Sequence, residues 1–236
     1  MNIDAIADEV IARLRAFTNR ERQVATQNYF PSTQENLGVY AADLRSIVRD
    51  MRKRLKAEDA KTIYRLALAI IKRNTLEGRQ AAYEIFDGHK GAMEALNLKQ
   101  LEALGKGIDN WASVDSFAVG LSGIAWRKGQ ISDADIKRWI GSKDPWWRRA
   151  GVVSTVPLNI KSRGGSGDTR RTIMICEMVV GDDHLMVHKA LSWALRQLTD
   201  TDPKAVREFL KKHDSKLPAL VKREVTRKLT TGKKNG

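Results

Sequence analysis

Cysteine occurs once in the 236 residues, at Cys176. That excludes an internal disulfide and any metal site built from several thiolates, so neither a secreted disulfide scaffold nor a zinc finger is available. A reducing cytoplasm fits this usage. No run of about 18 apolar residues exists, so no membrane span is expected. The opening stretch, MNIDAIADEVIARLRAF, has apolar residues interrupted by Asp4, Asp8, Glu9, Arg13 and Arg15, unlike the unbroken apolar core of a signal peptide. Acidic residues are scarce relative to basic ones: 28 Asp and Glu face 42 Lys and Arg, a net charge of +14 with a pI near 10.0. Such an excess draws polyanions, whether nucleic acid, an anionic membrane surface or an acidic protein, and composition does not choose among them. A hydrophobic fraction of 42% is enough for a sizeable core, so an intracellular, soluble, folded protein is expected.

Strand alternation is absent, and nearly every segment repeats with helical period. Ile3, Ile6, Ala7, Val10, Ile11 and Leu14 fall on one stripe, as do Leu44, Ile47, Val48 and Met51, then Ile63, Leu66, Ala67, Ile70 and Ile71. Further helices are predicted over 76–90, 97–107, 110–126, 132–141, 144–160, 169–181, 184–199, 202–213 and 217–230, with start signals such as Asp202–Pro203. Tetratricopeptide and ankyrin signatures are missing. Short turns between many helices suggest stacked pairs, so the expected fold is all-α, a HEAT-like helical-repeat superhelix (α-solenoid), with a bundle as its rival. One domain is expected over 1–230, followed by a basic flexible tail over 231–236. The segment Ser162-Arg163-Gly164-Gly165-Ser166-Gly167-Asp168 breaks the pattern. Glycines at this density let backbone N–H groups approach an anion, while a plain connector explains them equally well.

All six tryptophans lie between positions 111 and 193. A tryptophan more often fills a core than meets a ligand, but three neighbourhoods combine indole with charge. Trp111 and Asp115 are four apart and share a helix face: an aromatic wall with an anion, or a core residue beside a cap. Pro145-Trp146-Trp147-Arg148-Arg149 opens another helix with two arginines about 100° apart on the helical wheel. Trp193 and Arg196 share a third face. Arginine beside tryptophan suits a phosphodiester backbone, and a surface cation–π pair would leave the same pattern. His89, His184, His188 and His213 are scattered; His184 and His188 are spaced i, i+4, but no HExxH pattern accompanies them. The cation runs Arg49, Arg52, Lys53, Arg54, Lys56 and Lys222, Arg223, Arg227, Lys228 are read as solvated faces unless a polyanion lies against them.

The stretches WASVDSF, WIGSKDPWWRRAGV, VHKALSWALRQL and LVKREVTRKL, in this order and spacing, resemble the signature stretches of the bacterial DNA alkylation repair family, the AlkD-type HEAT-like repeat DNA glycosylases, across roughly residues 20–230. The resemblance implies a concave surface that grips alkylated double-stranded DNA and removes cationic purines such as 3-methyladenine and 7-methylguanine. It implies Asp115 as the catalytic aspartate and Trp111 and Trp193 as the tryptophans at the lesion. Arg149 and Arg196 are implied backbone contacts, with Arg148, Trp147, Lys189 and Arg163 completing the expected DNA-binding set. The family's N-terminal aromatic residue has no matched position; the nearest tyrosine in Val24–Phe30 is Tyr29, a few places late. In that resemblance the Gly164–Gly167 loop is read as longer than in a known member of the family.

The implied chemistry agrees with these residue types. A purine alkylated at N3 or N7 leaves as a neutral molecule, so the enzyme's task is on the sugar, where a fixed carboxylate stabilises an oxocarbenium-like cation and orients water. Indole faces add attraction to that cation. The expectation is a monofunctional glycosylase without metal or cofactor, a monomer with no obligate protein partner, cytoplasmic and nucleoid-associated. The alternative is a non-catalytic scaffold of the same fold that binds damaged or branched DNA, or protein.

Overall fold

The computed structural model describes residues 1–27, 29 and 32–233. Lys234, Asn235 and Gly236 of the expected tail lie outside the described residues, as do Asn28 and Phe30 of the stretch searched for an N-terminal aromatic. Among the described residues there is no strand, only the isolated bridge between Glu35 and Thr75; the remainder is helix and connector. The chain forms two compact units, Met1–Leu121 and Ser122–Gly236.

The first unit contains α1 (Ile3–Ala16), α2 (Arg20–Gln27), α3 (Ala41–Arg54), α4 (Ala60–Lys72), α5 (Leu76–Asp87), α6 (Lys90–Ala95), α7 (Leu98–Gly105) and α8 (Trp111–Phe117). The stripes predicted for its first helices are its core: Val10 and Leu14 of α1, Ile47 and Met51 of α3 and Ile63, Leu66 and Ile70 of α4 are all buried. Helix α4 packs against α1 and α5, and α5 in turn against α3 and α8. Burying each such aliphatic side chain contributes roughly 1.5–3 kcal/mol. The segment 110–126, predicted as one helix, is three pieces: α8, a π-helical turn over Ala118–Ser122, and α9 (Gly123–Arg127).

The second unit continues with α10 (Asp133–Ile140), α11 (Pro145–Val153), α12 (Thr169–Met178), α13 (Leu185–Leu198), α14 (Pro203–Lys212) and α15 (Ala219–Thr231). Helix α13 is its hub, packed against α11, α12 and α15, with Val187, Ala190, Leu191, Ala194, Leu195 and Leu198 buried. The helix predicted over 144–160 stops at Val153, because Pro157 has no N–H to donate to the Val153 carbonyl and its ring would clash with that carbonyl in a continued α-helix; a short 3-10 turn, Val156–Leu158, follows. The final helix runs through Thr231 and closes on Gly232 in the left-handed region at φ 70°.

Ahead of α3, residues 36–40 form no regular element and are held by a buried carboxylate. Glu77, at the start of α5, accepts from Leu37 N at 3.0 Å and Val39 N at 3.1 Å. Buried N–H groups left without acceptors cost about 1–3 kcal/mol each. Glu77→Ala is therefore expected to lower unfolding stability by about 2–4 kcal/mol, measured by urea denaturation followed by circular dichroism; a loss under 0.5 kcal/mol would show that water replaces the carboxylate.

Candidate functional site

The segment leading to α8 is built on Asp109. Its carboxylate accepts from Ser32 Oγ at 2.6 Å, Thr33 N at 2.6 Å, Thr33 Oγ1 at 2.7 Å and Gln34 Nε2 at 2.9 Å. Burial pushes this carboxyl up, but the hydrogen bonds from Ser32, Thr33 and Asn110 outweigh it and hold the group down at about 2. Gln34 Oε1 accepts from Arg79 Nε, and Arg79 also reaches the Tyr83 hydroxyl and the Lys106 carbonyl, so a buried polar network backs the latch. The next residue, Asn110, caps α8 by accepting from Ser113 N at 2.9 Å.

Capping fixes the rotation of α8. Ser113, Val114 and Phe117 are buried, while Trp111 and Asp115 are half-buried on the opposite side, the shared face that their spacing predicts. Trp111 Nε1 donates to the Tyr29 carbonyl at 2.9 Å, and the Tyr29 ring meets the indole edge-on, with centroids 5.1 Å apart at 82°. Tyr29, the tyrosine nearest the unmatched N-terminal position, is thus an aromatic neighbour of Trp111. Three residues on from Asp115 begin the π-helical residues Ala118–Ser122; such turns are rare and recur at functional sites. A small cleft lined by Arg22, Asn36, Gln80 and Ser113 opens beside α8.

In the second unit, Lys189, Trp193 and Arg196 of α13 are spaced i, i+4, i+7 and form one stripe, with Lys189 exposed and the other two half-buried. Glu224 of α15 organises it: Ser192 Oγ donates to Glu224 Oε2 at 2.6 Å, Arg196 Nε donates to Ser192 Oγ at 3.2 Å and lies 3.6 Å from Glu224 Oε2. Burial pulls the Arg196 guanidinium below its ordinary value and Glu224 works against that.

Asp144 caps α11 through Trp146 N. Arg149 is buried and donates to the Met186 carbonyl at 2.5 Å. Arg148 is clamped onto Asp182 through Nε at 2.6 Å and Nη2 at 3.2 Å, and also donates to the carbonyls of Ser142 and Lys143; the Asp182 hydrogen bond raises its guanidinium above the ordinary value, against burial. Trp147 is half-buried against Trp139, with ring centroids 5.0 Å apart. Trp126 and Trp139 are core residues, so the indoles divide between core and partly open positions.

Three of the glycine loop's N–H groups are used internally: Gly164 N, Gly165 N and Gly167 N donate to the carbonyls of Lys161, Ile160 and Leu158. The connector reading therefore accounts for those donors. A Cβ on Gly165 would stand 2.3 Å from the Pro157 carbonyl oxygen, so close packing requires this glycine. Arg163, at the loop's start, is half-buried.

Elsewhere, His184 caps α13 through Met186 N, and His188 Nε2 lies 2.5 Å from the Asp182 carbonyl. No group of three or more His, Cys, Asp or Glu among the described residues could hold a metal ion. Cys176 is fully buried and burial pushes its thiol up. No helix among the described residues is long and apolar enough to cross a membrane.

The model of a family described as DNA alkylation repair enzyme matches residues 10–229. The chain belongs to that family. A solved structure described as a predicted DNA alkylation repair enzyme from Enterococcus faecalis superposes with a TM-score of 0.71 at 17% identity, covering 91% of this chain and 97% of that one. That likeness shows a common fold, in keeping with an α-solenoid. Among curated proteins no sequence matches significantly. Membership makes this chain a DNA alkylation repair enzyme by family, with DNA as the implied substrate.

The latch on Asp109 carries its own pH signature. A depressed carboxylate contributes stability that is complete above its ordinary value of 3.8 and is lost as pH falls through about 2. Asp109→Asn should lower the urea midpoint at pH 6, and the gap from wild type should shrink between pH 4 and pH 2. A gap independent of pH would mean that the charge does not hold the latch.

Proposed function

We propose that the protein is a monofunctional alkylpurine DNA glycosylase, hydrolysing the N-glycosidic bond of 3-methyladenine, 7-methylguanine and related cationic purines in duplex DNA. The observation that carries the reading is the α8 face: Asp115 and Trp111 stand together, half-buried, on a helix whose rotation is fixed by the Asn110 cap and the Asp109 latch. A carboxylate on a braced helix is a preorganised anion, the arrangement that stabilises a developing cation without reorganisation.

In the reaction, the bond between C1′ and the purine nitrogen breaks with its electron pair going to the already cationic base, which leaves neutral. C1′ becomes oxocarbenium-like opposite Asp115. Water attacks C1′, and its proton passes to the Asp115 carboxylate and then to solvent, leaving an abasic sugar. Trp111, with its ring held by Tyr29, offers a π-face to the cationic sugar; an aromatic contact of the same kind is proposed for Trp193 on α13. Lys189 and Arg196 on the α13 stripe, with Trp147 and Arg163, contact the phosphodiester backbone; Arg149, buried and bonded to the Met186 carbonyl, is a backbone contact in this reading only where that packing gives way on DNA binding. Arg148 joins them with less net charge to offer, since Asp182 already neutralises it. The reading treats 1–230 as one functional domain acting as a monomer without a cofactor or protein partner, in the cytoplasm at the nucleoid.

Asp115→Asn keeps size and most hydrogen bonding but removes the charge. Single-turnover release of 7-methylguanine should fall about a hundred-fold or more, the usual effect of losing a preorganised electrostatic contact, while duplex binding survives or tightens slightly. Equal rates for wild type and the folded variant would make Asp115 structural. If neither releases any alkyl base while both bind DNA tightly, the chain is a DNA-binding scaffold.

Contacts made to phosphate carry no sequence information. Arg196→Ala should therefore weaken binding to unrelated duplexes by the same factor, read by fluorescence anisotropy on three sequences; a loss confined to one sequence would mean that Arg196 reads bases.

A further inference from the structure

The net charge of +14 is not shared between the two units. Met1–Leu121 holds 18 Lys and Arg against 16 Asp and Glu, a net +2, whereas Ser122–Gly236 holds 24 against 12, a net +12. The carboxylates of the second unit are, moreover, spent inside it. Asp133, Asp182, Glu177, Asp200 and Asp214 are in ion pairs with Arg171, Arg148, Lys212, Lys228 and Lys222. Asp135, Asp144, Asp168 and Asp202 bond helix N-termini, Asp183 lies 3.8 Å from Arg148 and Glu224 holds Ser192 and Arg196. Among the described residues only Glu208 of this unit lacks such an engagement.

The second unit is therefore cationic on balance, and its densest cationic stripe is on α14, where the exposed Glu208, one turn from Lys204, is the one acidic residue. Lys204, Arg207 and Lys211 recur at i, i+3, i+7, all exposed and opposite the buried Val206 and Phe209. Among the described residues none of the three has an acidic partner within 4 Å. On α15, Arg223 and Arg227 form a second exposed i, i+4 pair of the same kind. A solvated helix face ordinarily mixes both signs in near balance; the first unit does so, setting Asp50, Glu58 and Asp59 beside the Arg49–Lys56 run, whereas α14 sets one glutamate, Glu208, against Lys204, Arg207, Lys211 and Lys212.

We propose that the second unit carries the protein's long-range attraction for the DNA backbone, and that the Lys204–Arg207–Lys211 face of α14 is a phosphate-docking surface additional to the α13 stripe. The inference rests on the reading that DNA is the partner, not on which bond is cut. The occupant is the phosphodiester backbone of duplex DNA. Beyond a Debye length of about 8 Å at physiological salt only unbalanced charge is felt, and a +12 unit beside a +2 unit puts that attraction on one half of the chain. Phosphates, unlike an acidic peptide, are spaced regularly enough to meet cations one helical turn apart.

The test uses the full-length protein and an unmodified duplex, so that it is independent of base release. Dissociation constants are measured from 50 to 300 mM salt for wild type, for Lys204→Gln/Arg207→Gln/Lys211→Gln, and for the control Lys53→Gln/Lys61→Gln/Lys99→Gln in the first unit, with circular dichroism on each. Each lost phosphate contact removes about 0.9 from the log–log slope, so the α14 variant should flatten the slope by about 2 to 3 and the control by less than 0.5. Equal slopes for wild type and the α14 variant, equal losses in both variants, or salt-independent binding by wild type overturns the proposal. Vesicles containing phosphatidylserine serve as the competing polyanion; loss of vesicle binding with DNA binding intact would assign the face to a membrane surface and overturn it as well. Absence of base release by wild type, with the slopes behaving as expected, would sink the glycosylase reading and leave this one standing.

Discussion

A chain of many short helices has many helix starts, and each start leaves backbone N–H groups without intrahelical partners. That constraint shapes this molecule more than any single contact. Asn2, Asp59, Thr75, Asn97, Asn110, Ser132, Asp144, Asp168 and Asp202 each accept from the first turn of the following helix. Caps stabilise by about 1 kcal/mol apiece, but their larger effect is geometric. A capped helix has a fixed entry and a fixed rotation, so its polar face points one way. Carboxylates used in this role keep their charge but commit acceptor oxygens to backbone N–H groups of the helix start.

Helix α8 shows the constraint acting on chemistry. Seven residues are too few for a helix to persist on propensity alone. Its orientation comes from Asn110 beneath it, from Phe117 and Val114 packed into the core, and from the Asp109 latch that ties the 32–34 segment to its start. Trp111 and Asp115 inherit their placement from these supports. The α13 stripe has an analogous dependence on Glu224, one residue of a different helix that orients Ser192 and Arg196 together.

The fold class was legible because period-3.6 stripes survive in the sequence wherever one helix face meets a core: the α1, α3 and α4 stripes are the buried residues almost one for one. Breaks within helical stretches were less legible. Pro157 was a readable stop signal that the predicted 144–160 helix nonetheless ran through, the π-helical turn after α8 rests on packing that periodicity does not encode, and α2, with no buried apolar stripe, gave no signal. The shared face of Trp111 and Asp115 followed from spacing alone. Tyr29, Asp109 and Glu224 did not, since each acts on a residue distant in sequence and a lone polar or aromatic residue has no period. A Ser-Thr-Gln run and an Asp-Asn pair ahead of a helix were the available hints.

One small feature bears on chemical durability. Cys176 is wholly enclosed by its helix and neighbours, and burial keeps the sulfur protonated. Thiolate is the softest nucleophile a protein owns, and the first to be consumed by electrophiles. A repair enzyme that must remain intact while methylating or ethylating agents are attacking the genome gains from offering them no thiolate, and this chain, with its only sulfhydryl sealed away, has nothing of that kind to lose.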